Sequence, residues 1–272
     1  MLELTHVVKH RARVDLIGYA RRVPDVLRSS RLRSPHGFFT RRGGVSAGPF
    51  ASLNTGDHVG DDLGHVQQNL ARVAEVLQVL PTRLFAATQV HGDAVIELQP
   101  SDKPESVARR EADALVSGIP VHAVAVKTAD CVPILIEDFE ACLVAAVHAG
   151  WRGAIGNVIQ HAVAALVGQG AVSSRLRAAV GPCIRGCCYE VSPSLAADFQ
   201  KRFGVDVAER RETATYLSLP RAVAVALWGV GLQPAQIDDL GVCTSCDARF
   251  FSHRRDQGKT GRQLSAIAPM GL

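Results

Sequence analysis

Cys142-Leu143-Val144-Ala145-Ala146-Val147-His148-Ala149-Gly150-Trp151-Arg152-Gly153 is the stretch on which the reading of the fold turns. Its first six residues form an unbroken apolar run, as expected of a strand buried on both faces. The run ends on a histidine and a glycine, and a helical pattern follows from Gly153 to Val167, closed by Gly168 and Gly170. Strand, sharp turn and helix in direct succession are the unit from which α/β domains are built.

The same alternation extends outward in both directions. Strand candidates lie at Leu84–Thr88, Ala94–Leu98, Val121–Val126 and Ile134–Ile136, and downstream at Leu176–Val180, Asp239–Cys243 and Arg249–Phe251. Leu63, Val66, Leu70, Val73, Val76, Leu77 and Leu80 recur at helical spacing between Asp61 and Leu80, with Asp61 or Asp62 as cap and Pro81 as stop. Pro193–Phe203 and Pro220–Val230 read as helices with proline in the first turn. Residues 99–112 read as a polar loop. The expectation is a single α/β domain with mixed sheets and outer helices over residues 34–272, preceded by a basic arm at 1–33.

Composition narrows the function. The chain has 272 residues, 21% charged, with 30 Lys and Arg against 26 Asp and Glu. That is too balanced for a disordered tail and, at net +4, too weakly basic to make nucleic acid the main partner. No apolar run approaches the ~18 residues of a membrane span. Met1–Val8 is too short and mixed for a signal segment, and seven cysteines cannot all pair within one chain. These features point to a cytoplasmic protein with free thiols, without a nucleic-acid or membrane partner.

The chemistry concentrates at three positions. His91 follows the Leu84 strand, Cys131 the Val121 strand, and His148 ends the Cys142 strand. Strand C-terminal ends are where ligands bind in α/β sheets. Two imidazoles and a thiolate make a three-ligand zinc set with a fourth position open, as catalytic zinc requires. Isolated histidines and cysteines are more often ordinary core or surface residues. Arg152 and the backbone N–H groups at the helix start suit an anion such as phosphate, and Arg41 in the turn Thr40–Ser46 offers a second guanidinium. Cys243 and Cys246 form one C-x-x-C. Its spacing to Cys183, Cys187 and Cys188 fits no zinc pattern, so Cys243 reads as a buried strand residue and the others as loop thiols.

At these residues the sequence resembles the YfiH family, also called the laccase-domain or multicopper polyphenol oxidoreductase family. The resemblance runs through Thr40-Arg41-Arg42-Gly43-Gly44-Val45-Ser46, Ser52-Leu53-Asn54, His58-Val59-Gly60-Asp61-Asp62 and Gln89-Val90-His91-Gly92. It continues through Ala112-Asp113-Ala114-Leu115, Thr128-Ala129-Asp130-Cys131-Val132-Pro133, His148–Gly153, Gly181-Pro182, Tyr189-Glu190-Val191, Cys243-Thr244 and Phe251–Asp256, departing at His253 where tyrosine is expected. It implies a four-layer α/β/β/α sandwich with mixed sheets, and zinc on His91, Cys131 and His148. It also implies either copper-dependent phenol oxidation or purine nucleoside phosphorolysis with adenosine deamination; some relatives are tied to peptidoglycan-precursor editing.

Residue chemistry separates these activities. The ten histidines include no His-x-His pair, which argues against a multinuclear copper cluster, although a single copper on two histidines and a cysteine is chemically sound. Deamination needs a metal-activated hydroxide and a proton carrier, for which Asp130 is the candidate. Phosphorolysis needs a held phosphate, with Arg41, Ser46, Asn54 and Arg152 as candidate contacts; a loop asparagine can equally serve its own turn. The expectation is a zinc-dependent purine nucleoside phosphorylase acting on adenosine, inosine and methylthioadenosine, with adenosine deaminase activity, as a monomer or weak homodimer. The alternatives are a copper-dependent polyphenol oxidase and an editing hydrolase with Cys131 as nucleophile.

Overall fold

The computed structural model describes residues 23–270. In chain order the strands are β1 (Val26–Leu27), β2 (His36–Phe39), β3 (Leu84–Phe85), β4 (Val95–Glu97), β5 (Ala114–Ser117), β6 (Ala123–Thr128), β7 (Val132–Asp138) and β8 (Leu143–Ala149). They continue as β9 (Arg177–Val180), β10 (Glu190–Val191), β11 (Ala208–Arg211), β12 (Ala214–Leu217), β13 (Ile237–Asp239) and β14 (Gln263–Ile267). The α-helices are α1 (Leu63–Val76), α2 (Pro104–Val107), α3 (Trp151–Gly156), α4 (Val158–Gly168), α5 (Pro193–Phe203) and α6 (Leu219–Gly229).

Two mixed sheets form the centre. One has the order β1-β2-β14-β6-β3, the other β13-β9-β7-β8-β5-β4, and a small sheet β10-β12-β11 stands apart. Strand alternation shows how the large sheets stack. Val124 and Val126 of β6 pack in one cluster with Leu135 of β7 and Val144 and Ala146 of β8, the apolar layer between the sheets. The intervening Ala123 and Ala125 turn the other way and meet Val73, Ala74 and Leu77 on and beside α1. Ile134, Ile136, Ala145 and Val147 face Val158, Ala162 and Leu166 of α4 and Val223 and Leu227 of α6. The order of layers is therefore helix, sheet, sheet, helices.

Local structure departs from the sequence reading where tertiary contacts outweigh pattern. The Cys142 strand runs Leu143–Ala149 and takes His148 inside it. The single helix expected from Gly153 is two, because Asn157 at φ 77° breaks the chain between α3 and α4; asparagine tolerates that left-handed conformation. Arg249–Phe251 is not a strand: the Phe251 N–H donates to the side-chain oxygen of Gln263. β5, which the sequence reading did not separate from its polar approach, is a fully buried strand. The helix after Asp61 starts at Leu63, capped by Asp62, whose carboxylate accepts the His65 N–H at 2.9 Å. Of the basic stretch 1–33, residues 1–22 lie outside the described residues; Val26–Leu27 pairs with β2.

Leu135 sits fully buried in the layer between the sheets. Leu135→Ala should cost about 2–5 kcal/mol in chemical denaturation, whereas Leu63→Ala, at 59% exposure, should stay within about 0.5 kcal/mol of the parent.

Candidate active site

Strand register builds the site. β5 runs antiparallel to β8 with Ala114 opposite Val147, which sets Asp113 beside His148. The His148 N–H donates to the Asp113 carbonyl at 2.7 Å, and its ring Nδ1 meets Asp113 Oδ1 at 2.7 Å. On the other side of β8, Val132 of β7 is opposite Ala149, so Cys131 lies next to Gly150. His91 arrives on the loop after β3, in a left-handed conformation at φ 61°. Asp113 holds that loop too: Oδ1 accepts the His91 N–H at 3.0 Å, and Oδ2 accepts those of Gly92 at 2.6 Å and Val90 at 3.2 Å.

The result is convergence of His91, Cys131 and His148, whose donor atoms all lie within 4.8 Å of one another. The two imidazoles stand edge to face at 4.9 Å. Burial pushes the Cys131 thiol up, but the charge and hydrogen bonds of His148 and His91 outweigh it and bring it down to about 6. Burial likewise opposes protonation of His148, yet the facing thiolate and Asp113 raise it to about 9. Asp113 itself is lowered: burial raises it, and its bonds to His148 and the backbone N–H groups win.

The donor set suits a soft-to-borderline metal. A thiolate and two imidazoles are zinc ligands, and the histidine–carboxylate bond fixes the ring so that Nε2 is presented. Space agrees with chemistry: a Cβ on Gly150 would stand 3.0 Å from His91 Cδ2 and 3.2 Å from Cys131 Sγ. Gly150 thus keeps a cradle open beside both side chains.

The three residues sit in the wall of a cavity of about 720 Å³, with Gln89, Lys127, Asp130, Trp151, Tyr189, His253, Arg254 and Arg262 around it. That volume is in the range of small-molecule sites.

A sequence model of the family described as multi-copper polyphenol oxidoreductase laccase matches residues 35–269. The chain belongs to this family. It is 41% identical to a purine nucleoside phosphorylase of Deinococcus radiodurans over 244 residues, covering 89% of this chain and 92% of that one. The crystal structure of YlmD from Geobacillus stearothermophilus superposes with a TM-score of 0.81 at 35% identity, covering 87% of this chain and 92% of that one. That of a Bacillus licheniformis hypothetical protein, YfiH, gives 0.82 at 33%, covering 86% and 92%.

The structure gives several family-motif residues partners within the protein. Asp130 lines the cavity at φ 94°, but its carboxylate accepts Thr244 Oγ1 at 2.6 Å, Ser252 Oγ at 3.1 Å and the Arg254 N–H at 2.7 Å. That pattern ties loops together rather than freeing a proton carrier. Arg41 lies outside the cavity wall. Its Nε donates to the Ala51 carbonyl at 2.6 Å, and its guanidinium covers the Phe251 ring. Ser46 Oγ accepts from buried Asn69. Asn54 serves its own turn, bonding Gly56 in both directions, and its Oδ1 accepts the Arg262 N–H at 2.8 Å. Arg152 is exposed and stacks on Trp151 at the start of the six-residue α3.

Two residues to which the sequence reading gave no role stand at the site. Asp113 orients both histidine segments. Arg262 reaches the cavity, and its Nη1 donates to the carbonyls of Thr260 and Gly261; burial lowers it, against the pull of Cys131 and Asp130.

Asp113→Asn should weaken metal affinity about 10–100-fold, measured by competition against a chromophoric chelator. In metal-free protein, alkylation of Cys131 should rise with pH about a midpoint near 6, well below the ordinary thiol range, because the thiolate forms once pH exceeds the lowered value. Added zinc should suppress it.

Proposed function

We propose that this chain is a zinc-dependent purine nucleoside phosphorylase, taking adenosine, inosine and methylthioadenosine, with adenosine deamination as a second activity of the same cavity. The observation that carries the reading is that the His91, Cys131, His148 set and the Arg262 guanidinium share one cavity. The names of the relatives support the substrate class.

Zinc on these three residues would supply Lewis acidity at an open coordination position. The chain's own groups do the rest. The Arg262 guanidinium would meet phosphate in a setting where burial strengthens each charge-assisted bond. Trp151 and Tyr189 give the purine two aromatic walls. Burial, together with the Cys131 charge, raises the Tyr189 phenol to about 12, so it stays protonated and would serve a substrate as a hydrogen-bond donor. Asp130 positions Cys131 and Arg254. With His91 and His148 committed to the metal, His253 on the exposed rim is the imidazole we assign to proton transfer. Phosphorolysis breaks the C1′–N9 bond, forms the C1′–O bond to phosphate, and returns a proton to the departing base.

A second reading has one observation in its favour. In the absence of metal, the Cys131 thiolate beside a protonated His148 is the pairing a cysteine hydrolase needs.

The test uses protein purified without added metal, incubated with adenosine with and without phosphate. Free adenine and ribose 1-phosphate should appear only with phosphate and should vanish after chelation. Arg262→Ala should raise KM for phosphate about ten- to hundredfold, the loss expected of charge-assisted bonds, while inosine formation from adenosine falls less. Undiminished turnover after chelation would sink the zinc reading and favour the thiol nucleophile. No turnover of any nucleoside by metal-loaded protein would overturn the substrate class.

A further inference from the structure

A second group of donors lies away from the cavity. Cys187, Cys188, Cys243 and Cys246 bring four sulfurs together, all within 4.8 Å of one another. Their spacing in sequence suggested no metal site; the fold supplies what spacing could not. Cys183 and Cys243 pair as an isolated parallel bridge, with the Cys183 N–H on the Val242 carbonyl at 3.2 Å and the Thr244 N–H on the Cys183 carbonyl at 3.0 Å. Beyond that bridge each segment closes into a tight turn. The Cys188 N–H returns to the Arg185 carbonyl at 2.9 Å, and the Asp247 N–H to the Cys243 carbonyl at 3.0 Å. Each turn delivers two cysteines to the same point. Cys183 stays behind in the bridge and is not among the four.

We propose that these four cysteines hold a structural zinc ion that clamps the loop after β9 to the loop after β13. Three observations support it. First, the sulfurs are spaced for a shared ion and not for a disulfide. Cys187 and Cys246 stand 3.6 Å apart, and Cys188 and Cys246 3.3 Å; a zinc with Zn–S of about 2.3 Å places tetrahedral sulfurs about 3.8 Å apart, against about 2.05 Å for a disulfide. Second, the backbone bonds of the Cys183–Cys243 bridge and of the two turns beyond it hold the four thiols at one point, the positioning by surrounding bonds that metal ligands need. Third, guanidinium groups surround the turns. Arg254 reaches the Cys188 carbonyl, Arg255 that of Thr244, and Arg211 that of Gly186. A four-thiolate zinc carries a net charge of about −2; Arg255 and Arg211 also pair with Asp256 and Glu209, so the compensating charge at the turns comes chiefly from Arg254.

The position gives the clamp a purpose. Its two loops also carry Ile184 and Tyr189 of the cavity wall and Thr244, which donates to Asp130 beside Cys131. No exchangeable fourth position is left, so the ion would support the wall without taking part in chemistry.

The experiment is elemental analysis of the intact protein purified without added metal, beside Cys246→Ser and a Cys187→Ser/Cys188→Ser variant. Each variant should hold about one zinc per chain less than the parent, whatever His91, Cys131 and His148 retain, and should melt at lower temperature. Because a variant could fail to fold, His91→Ala loaded with cobalt provides a second readout. It should show the intense sulfur-to-metal charge-transfer bands of a thiolate-rich tetrahedral site. Equal zinc in parent and variants would overturn the clamp. So would a chelated, denatured, unreduced parent that titrates with two fewer free thiols than its seven cysteines, since a disulfide would then occupy the cluster.

Discussion

A buried carboxylate in search of donors organises this protein. Asp113 is fully excluded from solvent, and an unpaired charge there would cost several kcal/mol. It is satisfied by the ring of His148 and by three consecutive backbone N–H groups, from Val90 to Gly92. These bonds come from β8, the antiparallel neighbour of β5, and from the loop that leaves β3 in one sheet and enters β4, the parallel neighbour of β5 in the other. Satisfying one charge therefore helps fix the distance between two histidines and holds the chain where it crosses from one sheet to the other.

Asp130 does the complementary work on the far side of Cys131. Its side chain gathers Thr244, Ser252 and Arg254, and its carbonyl accepts the Ile184 N–H at 2.9 Å. The left-handed backbone at His91 and Asp130 is strain of the kind found at ligand sites, and in each case a carboxylate network holds it. Both carboxylates are committed to neighbouring groups, and Arg262, His91, Cys131 and His148 line the same cavity.

Much of this was legible in sequence, for stated reasons. β8 and the turn after it were visible because a buried strand needs an unbroken apolar run. The start of α5, Pro193–Phe203, was marked by the proline in its first turn. His91, Cys131 and His148 stood out by residue type at strand ends. What sequence could not show was direction. Whether Arg41 points to a ligand or to the Ala51 carbonyl depends on a few ångströms of loop path. Asp113 looked like one acid among many until the β5–β8 register set it against His148. Arg262 lies just before β14, a strand whose place in the sheet no local pattern reveals. The four thiols were hidden because each pair comes from a different turn, and only the Cys183–Cys243 bridge aligns the two.

The placement of β14 has a consequence for how the protein comes into being. Residues 263–267 lie between β2, at 36–39, and β6, at 123–128. Synthesis from the N-terminus leaves β2 and β6 without the strand that joins them until nearly all the described residues have emerged. Pairings this distant in sequence are slow to form. A nascent chain therefore carries His91, Cys131 and His148 long before Arg262 is brought to their cavity, and a ribosome stalled short of residue 262 would display those three side chains without the arginine that shares their cavity.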